Sequence, residues 1–156
     1  METLSAAGVR TLVDVRRFPG SRRNPQFGRE ALAATLRDAG IVYVHAGELG
    51  GRRSGEEGEE RFACISTPAF RSYAARMGRA EWQAALSAAL AEPAPCFMCA
   101  ETQWTRCHRR LIAELLHARG NEVLHLVRPH VFHPHKPWDV SEVRHGKLYI
   151  CGEMVA

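Results

Sequence analysis

The sequence predicts an α/β fold: a three-layer, mostly parallel sheet with helices on both faces, Rossmann-like, ending in a C-terminal hairpin. Three observations carry it. Short β-branched runs alternate with longer segments of helical period. Two of the helical segments end at glycines, Gly40 and Gly120, that read as stops. The last residues show the hairpin pattern of two short strands around His145-Gly146. A chain of 156 residues reads as a single domain spanning 1–156, large enough to bury a core without staples.

In chain order, Thr11 to Val15 (TLVDV) is apolar and β-branched, as a buried parallel strand should be. Pro19, Gly20, Asn24 and Pro25 interrupt the loop after it. Arg29 to Gly40 is a helix with an apolar face at Leu32, Leu36 and Ala39, and Ile41 to His45 is the next strand. Glycines loosen the stretch HAGELGGRRSGEEGEE, whose acidic run Glu56, Glu57, Glu59 and Glu60 reads as a mobile, solvated loop. Helices follow at Pro68 to Met77 and Arg79 to Glu92, the second with Trp82 among its apolar positions. PCFMC is a third strand, LIAELLHARG lies in a further helix, and Glu122 to Leu126 is a fourth strand. The proline- and histidine-rich RPHVFHPHKPWD leads into the hairpin SEVRHGKLYICG.

Composition excludes some classes. No apolar run reaches membrane-spanning length, and METLSAAGVR lacks a signal-peptide succession, so the expected location is the cytoplasm. Five unevenly spaced cysteines fit reduced thiols better than a disulfide framework. The net charge of +4 favours an anionic partner over a cationic one.

Parallel strands place their carboxyl ends on one edge, where ligands of open α/β sheets bind. That edge is expected to collect Asp14 and Arg16, His45, Cys99 with Glu101, and His125, from four strands. Glu101, at the mouth of a strand and near a helix N-terminus, is the leading candidate for general base or cation stabiliser. Its alternative role is pairing with Arg106 or Arg109. Asp14 is either the second carboxylate of an acid/base pair or a partner of Arg16 that fixes the loop, and His108 would orient or shuttle protons.

Cys107 and His108 are adjacent, so on a helix their side chains leave about 100° apart and do not pair with each other. Cys99 with His108 is the better nucleophile pair, against the plain reading of Cys99 as a small buried hydrophobe. The spacing C-x2-C-x7-C-H over Cys96, Cys99, Cys107 and His108 invites zinc. Cys96 and Cys99 on a strand face opposite ways, however, and the histidines His130, His133 and His135 read as exposed, so no metal and no other cofactor is expected.

The loop RRFPGSRRNPQFG offers arginine forks for phosphate or carboxylate at Arg16, Arg22 and Arg23, with Phe27 as a stacking face. Arg52 in LGGRR and Arg106 and Arg109 beside the third strand extend the set, although LGGRR is not a P-loop. Trp104 is a second stacking candidate beside its ordinary role in packing.

At LVDVRRFPGSRRNPQF, YVHAGELGG and CAETQWTRCHRRLIAELL the chain resembles the domain-of-unknown-function family 488, a conserved uncharacterised bacterial and archaeal family. The tail HPHKPWDVSEVRHGKLYICG also looks like the endings of members. Relatives open with an extra strand of the form T-I-G-H-S, so the resemblance implies a late start or truncation here and the loss of a histidine. It implies a compact α/β fold, brings no catalytic assignment, and carries a loose DNA-repair label on some relatives.

Three functions follow as expectations. The first is a DNA-acting enzyme that cleaves the N-glycosidic bond of a damaged or modified base, with Glu101 or Asp14 at the reacting centre. The second is an enzyme on a small anionic substrate such as a nucleotide or phosphosugar. The third is a non-catalytic nucleic-acid-binding or protein-binding module.

Overall fold

The computed structural model describes residues 1–20, 22–51 and 54–156. A short helix α1 (Glu2–Ala6) precedes β1 (Thr11–Asp14), α2 (Arg29–Asp38) and β2 (Val42–His45). Helices α3 (Pro68–Met77) and α4 (Ala80–Leu90) lead to β3 (Pro95–Met98) and α5 (Arg109–Ala118). The three strands form one parallel sheet in the order β2-β1-β3. Asp14 stands level with His45 on one side and Met98 on the other.

β1 is central and every residue of it is buried, which explains its unbroken apolar and β-branched composition. The period-two alternation of a strand then sorts its neighbours. Leu12 joins a cluster with Leu32 and Leu36 of α2 and Ile41, against which Cys96 and Met98 pack. Val13 and Val15 join the larger cluster of Tyr73, Trp82, Leu86, Leu111 and Leu115, which includes Cys99 at its margin. Leu32 and Leu36 sit one helical turn apart and are the buried pair of α2. Ala39, expected on the same face, is exposed because the helix ends at Asp38.

Four expectations need correction. The fourth strand does not join the parallel sheet. β4 (Leu124–Arg128) instead pairs antiparallel with β5 (Val131–Pro134) in a sheet of its own. The two-residue link Pro129-His130 forces this, because a parallel partner needs a long crossover. The acidic segment is also ordered. Glu59–Phe62 forms a 3-10 turn that buries Phe62 in the core, while Glu56 pairs with Arg76 and Arg79 of the α3–α4 region.

The cysteines are not all reduced: Cys64 and Cys151 form a disulfide across 87 residues. The cytoplasmic expectation therefore loses the support it drew from free thiols. Finally, His130 and His133 are exposed as expected, but β5 runs through the segment and His135 is buried beside Glu114.

The C-terminal hairpin forms as expected, with β6 (Ser141–Arg144) and β7 (Lys147–Ile150) joined at His145 and Gly146, both with positive φ. That geometry is the turn type whose twist matches paired strands. A short β8 (Glu153–Met154) adds a third strand, and Leu148 and Ile150 of β7 enter the main core. No helix is long and apolar enough to cross a membrane, among the described residues.

Candidate functional site

The carboxyl ends of β1 and β3 adjoin in the sheet, and two different arrangements grow from them. At β1, Asp14 is fully buried and its carboxylate is saturated. Arg16 donates from its backbone N–H (3.0 Å) and from Nε (2.8 Å), and its Nη2 lies 2.5 Å from Oδ2. Tyr43 on β2 adds its hydroxyl at 2.7 Å. Burial raises the pKa of Asp14, but the Arg16 and Tyr43 hydrogen bonds outweigh it, and the carboxyl titrates below its usual range. Tyr43 moves the other way, to about 12, through burial and its bond to the Asp14 anion.

Arg16 reaches onward from Nη1 to the carbonyl of Phe27 (2.9 Å), and the imidazole of His45 meets the Arg16 carbonyl at 2.8 Å. These bonds pin the arginine-rich loop to the sheet. The Arg16 guanidinium is consumed in holding the loop. Phe27 is exposed, as are Arg22 and Arg23. Arg52 lies outside the described residues.

At β3 the chain leaves the strand at Cys99 and returns at the N-terminus of α5. Sγ of Cys99, Sγ of Cys107 and a ring nitrogen of His108 lie within 4.8 Å of one another. Cys107 and His108 also touch directly, Sγ to Nδ1 at 3.6 Å, which overturns the expectation that neighbours in sequence would diverge. The helical spacing does not apply, because Cys107 is extended (φ −123°, ψ 150°) and α5 begins only at Arg109.

His108 is nine-tenths buried, its ring 5.1 Å from that of Tyr73. Its Nε2 has no hydrogen-bond partner among the described residues. The backbone of Gly51 presses against the other nitrogen, where a Cβ would come within 2.7 Å of Nδ1.

The two sulfurs share one proton unequally. Cys99 is held well below the ordinary thiol value by a hydrogen bond from Cys107, assisted by His108 and the Glu101 backbone N–H, against an opposing burial effect. Cys107 is pushed up by that same bond and by burial. Cys99 is thus the more acidic of the pair, and Nε of Arg109 lies 3.5 Å from the Cys107 sulfur. Cys96, on the opposite face of β3, is an ordinary half-buried thiol pushed up to about 11 by desolvation. Cys99 itself is half-buried.

The remaining expected residues lie around this trio. Glu101 is exposed and its carboxylate makes no hydrogen bond or ion pair among the described residues. It is its backbone carbonyl that accepts from Arg109. Arg109 also approaches the Thr102 carbonyl, so its fork is engaged in closing the loop. Arg106 is exposed. Trp104 has one face covered by His125, whose ring stacks at 3.7 Å and 4°. His125 thus meets the β3–α5 loop from its own hairpin and not from the parallel sheet.

Sequence reasoning missed the groups behind that stack. His125 Nε2 lies 3.1 Å from His135 Nδ1, and His135 Nε2 lies 3.3 Å from the buried carboxylate of Glu114. Burial and the His135 charge lower His125 to about 4. Glu114 also accepts from the Trp138 N–H and the Ser141 hydroxyl, both at 2.7 Å. An acid in the apolar stripe between Leu111 and Leu115 is the signal that could have flagged it.

Fold and site together define an α/β protein with a two-thiol, one-imidazole cluster between a strand end and a helix start. The chain matches the family model described as domain of unknown function DUF488 over residues 1–116, and belongs to that family. The match takes in the parallel sheet and nearly all of α5, and stops short of the antiparallel hairpins. No curated protein and no solved structure matches the chain.

Proposed function

We propose that this protein is an enzyme in which the Cys99 thiolate attacks an electrophilic centre of a small anionic substrate, of the nucleotide or phosphosugar class. The observation that carries the reading is geometric: the half-buried Cys99 sulfur stands at the end of a parallel strand with Cys107 Sγ and a His108 ring nitrogen within 4.8 Å, contacts that lower a thiol's pKa. Read as a doubly wound, Rossmann-like sheet, the order β2-β1-β3 puts a crevice between the ends of β1 and β3, where the loops part. The exposed Arg22, Arg23 and Arg106 lie on the loops leaving those two ends and supply the charge an anion needs.

In the proposed step the sulfur displaces the leaving group and forms a bond to the substrate carbon or phosphorus. Water then cleaves that bond and restores the thiolate, and the proton released passes by way of His108 to the departed group. Alkylation of Cys99 by iodoacetamide, followed by peptide mass mapping across pH, tests the central claim. The rate should stay high well below pH 8 and vanish in Cys99→Ser. A midpoint at the ordinary thiol value near 9 would sink it.

A second reading, removal of a damaged base from DNA, keeps one specific support: the exposed Glu101 carboxylate makes no hydrogen bond or ion pair among the described residues, and Phe18 and Phe27 are exposed as stacking faces. It expects base release from a lesion-bearing duplex that is lost in Glu101→Gln and retained in Cys99→Ser. The opposite pattern assigns the chemistry to sulfur.

A further inference from the structure

Cys99, Cys107 and His108 bring two sulfurs and one imidazole nitrogen together within 4.8 Å, with no other acid, thiol or histidine in the group. We infer that these three side chains form a reversible binding site for one soft divalent cation, of the zinc class, and that its occupancy silences the Cys99 nucleophile. The inference rests on the thiolate reading above and adds a regulator to the same site.

The ligand geometry suits such an ion. In a tetrahedral site, metal–sulfur bonds of about 2.3 Å and metal–nitrogen bonds of about 2.0–2.1 Å set the ligand atoms about 3.5–3.8 Å apart. Cys107 Sγ and His108 Nδ1 already stand 3.6 Å apart, and Cys99 Sγ, within 4.8 Å of Cys107 Sγ and of a His108 ring nitrogen, completes the triangle. Two thiolates and a neutral imidazole are the donor set that prefers zinc over hard cations. The fourth position opens on the side of half-buried Cys99.

Two further observations bear on how the ion is held. The Gly51 backbone lies against the imidazole and fixes the direction of Nδ1, a close approach that any side chain would prevent. The Arg109 Nε–H points at Cys107 Sγ and remains as a donor to that sulfur once it is ionised.

The other face of the imidazole explains why the ion is a visitor. Metal-bound histidines ordinarily donate their second N–H to a carboxylate or carbonyl, and losing that partner costs ~10–100-fold in affinity. Nε2 of His108 is buried without any partner among the described residues. A site with good donors and no outer support binds and releases, as a regulator must. The core around it closes through apolar packing.

The test uses the full chain carrying Cys96→Ala, with the Cys64–Cys151 disulfide verified by mass. Zinc or cobalt(II) is titrated, read by native mass spectrometry and by the sulfur-to-cobalt absorption band. The expected result is one equivalent bound and loss of binding in Cys99→Ser. His108→Ala should weaken it at least tenfold. Because Cys107 is buried and its replacement threatens folding, the second blocking measurement is wild-type protein alkylated at Cys99, which should also fail to bind.

Zinc should slow Cys99 alkylation with the same midpoint as binding. Absence of binding, or binding untouched by loss or alkylation of Cys99, overturns the site. The two proposals fail separately. Fast alkylation at low pH without metal binding removes only the metal site. Metal binding with an ordinary alkylation profile removes the nucleophile and the silencing role, and leaves a cation site.

Discussion

Replacing Asp14 by Asn separates the two roles its position allows. Asp14 is fully buried and binds the similarly buried Arg16 through three of its nitrogens, with Tyr43 as a fourth donor. Breaking a buried ion pair by neutralising one partner costs about 3–5 kcal/mol, since the other charge stays behind unpaired. Asn keeps one carbonyl oxygen for these donors, which sets the expectation at the lower end, about 3 kcal/mol. For a chain of this length that corresponds to a fall in melting temperature of roughly 6–12 °C.

The pH dependence has a definite sign. The carboxyl of Asp14 is depressed in the folded state, so its contribution is complete above the unfolded value near 4. It is lost as pH falls through the lower folded value. Urea denaturation at neutral pH and in acid, on wild type and Asp14→Asn, reads both effects. The two stability curves should converge in acid. A double-mutant cycle with Arg16→Gln should show strong coupling. A loss below about 1 kcal/mol, or additive single changes, would refute the account. Abolished activity in a variant of unchanged stability would return Asp14 to the reacting centre.

Two other perturbations read the site and its frame. Gly51→Ala puts a methyl 2.7 Å from His108 Nδ1, so the imidazole must shift. The Cys99 alkylation midpoint should then rise toward that of a free thiol, at a stability cost of about 1–3 kcal/mol. An unchanged pH profile would show that His108 does not support the thiolate. Removing the Cys64–Cys151 bridge, whose partners lie 87 residues apart, should lower stability by about 2–4 kcal/mol in urea denaturation of Cys64→Ala/Cys151→Ala. A change under about half a kcal/mol would mean that the ends of that loop are already held by packing.

The parts legible in the sequence are those decided by neighbours along the chain. The β-branched run at Thr11, the i, i+4 leucines of α2, the proline start of α3 and the His145-Gly146 turn each state a local backbone preference, and each forms as read. The junction from Cys99 to Arg110 was legible as a site for the same reason: polar and reactive residues crowd the exit of an apolar strand. What escaped depended on partners distant in sequence. Cys64 meets Cys151, Glu114 meets His135, and Glu56 meets Arg76, across separations no periodicity encodes.

The division is sharpest at the cluster. The sequence by itself determined that two thiols and a histidine stand near a strand end. Only the tertiary structure decided which of them meet. An extended Cys107 turns its sulfur onto the next residue's imidazole, where a helical one would have pointed it away. Gly51, brought in from the loop after β2, then fixes that imidazole beside Cys99. Side-chain direction along a strand or helix follows from local backbone angles. Which sulfur is the more acidic follows from contacts that exist only once the sheet and α5 have packed.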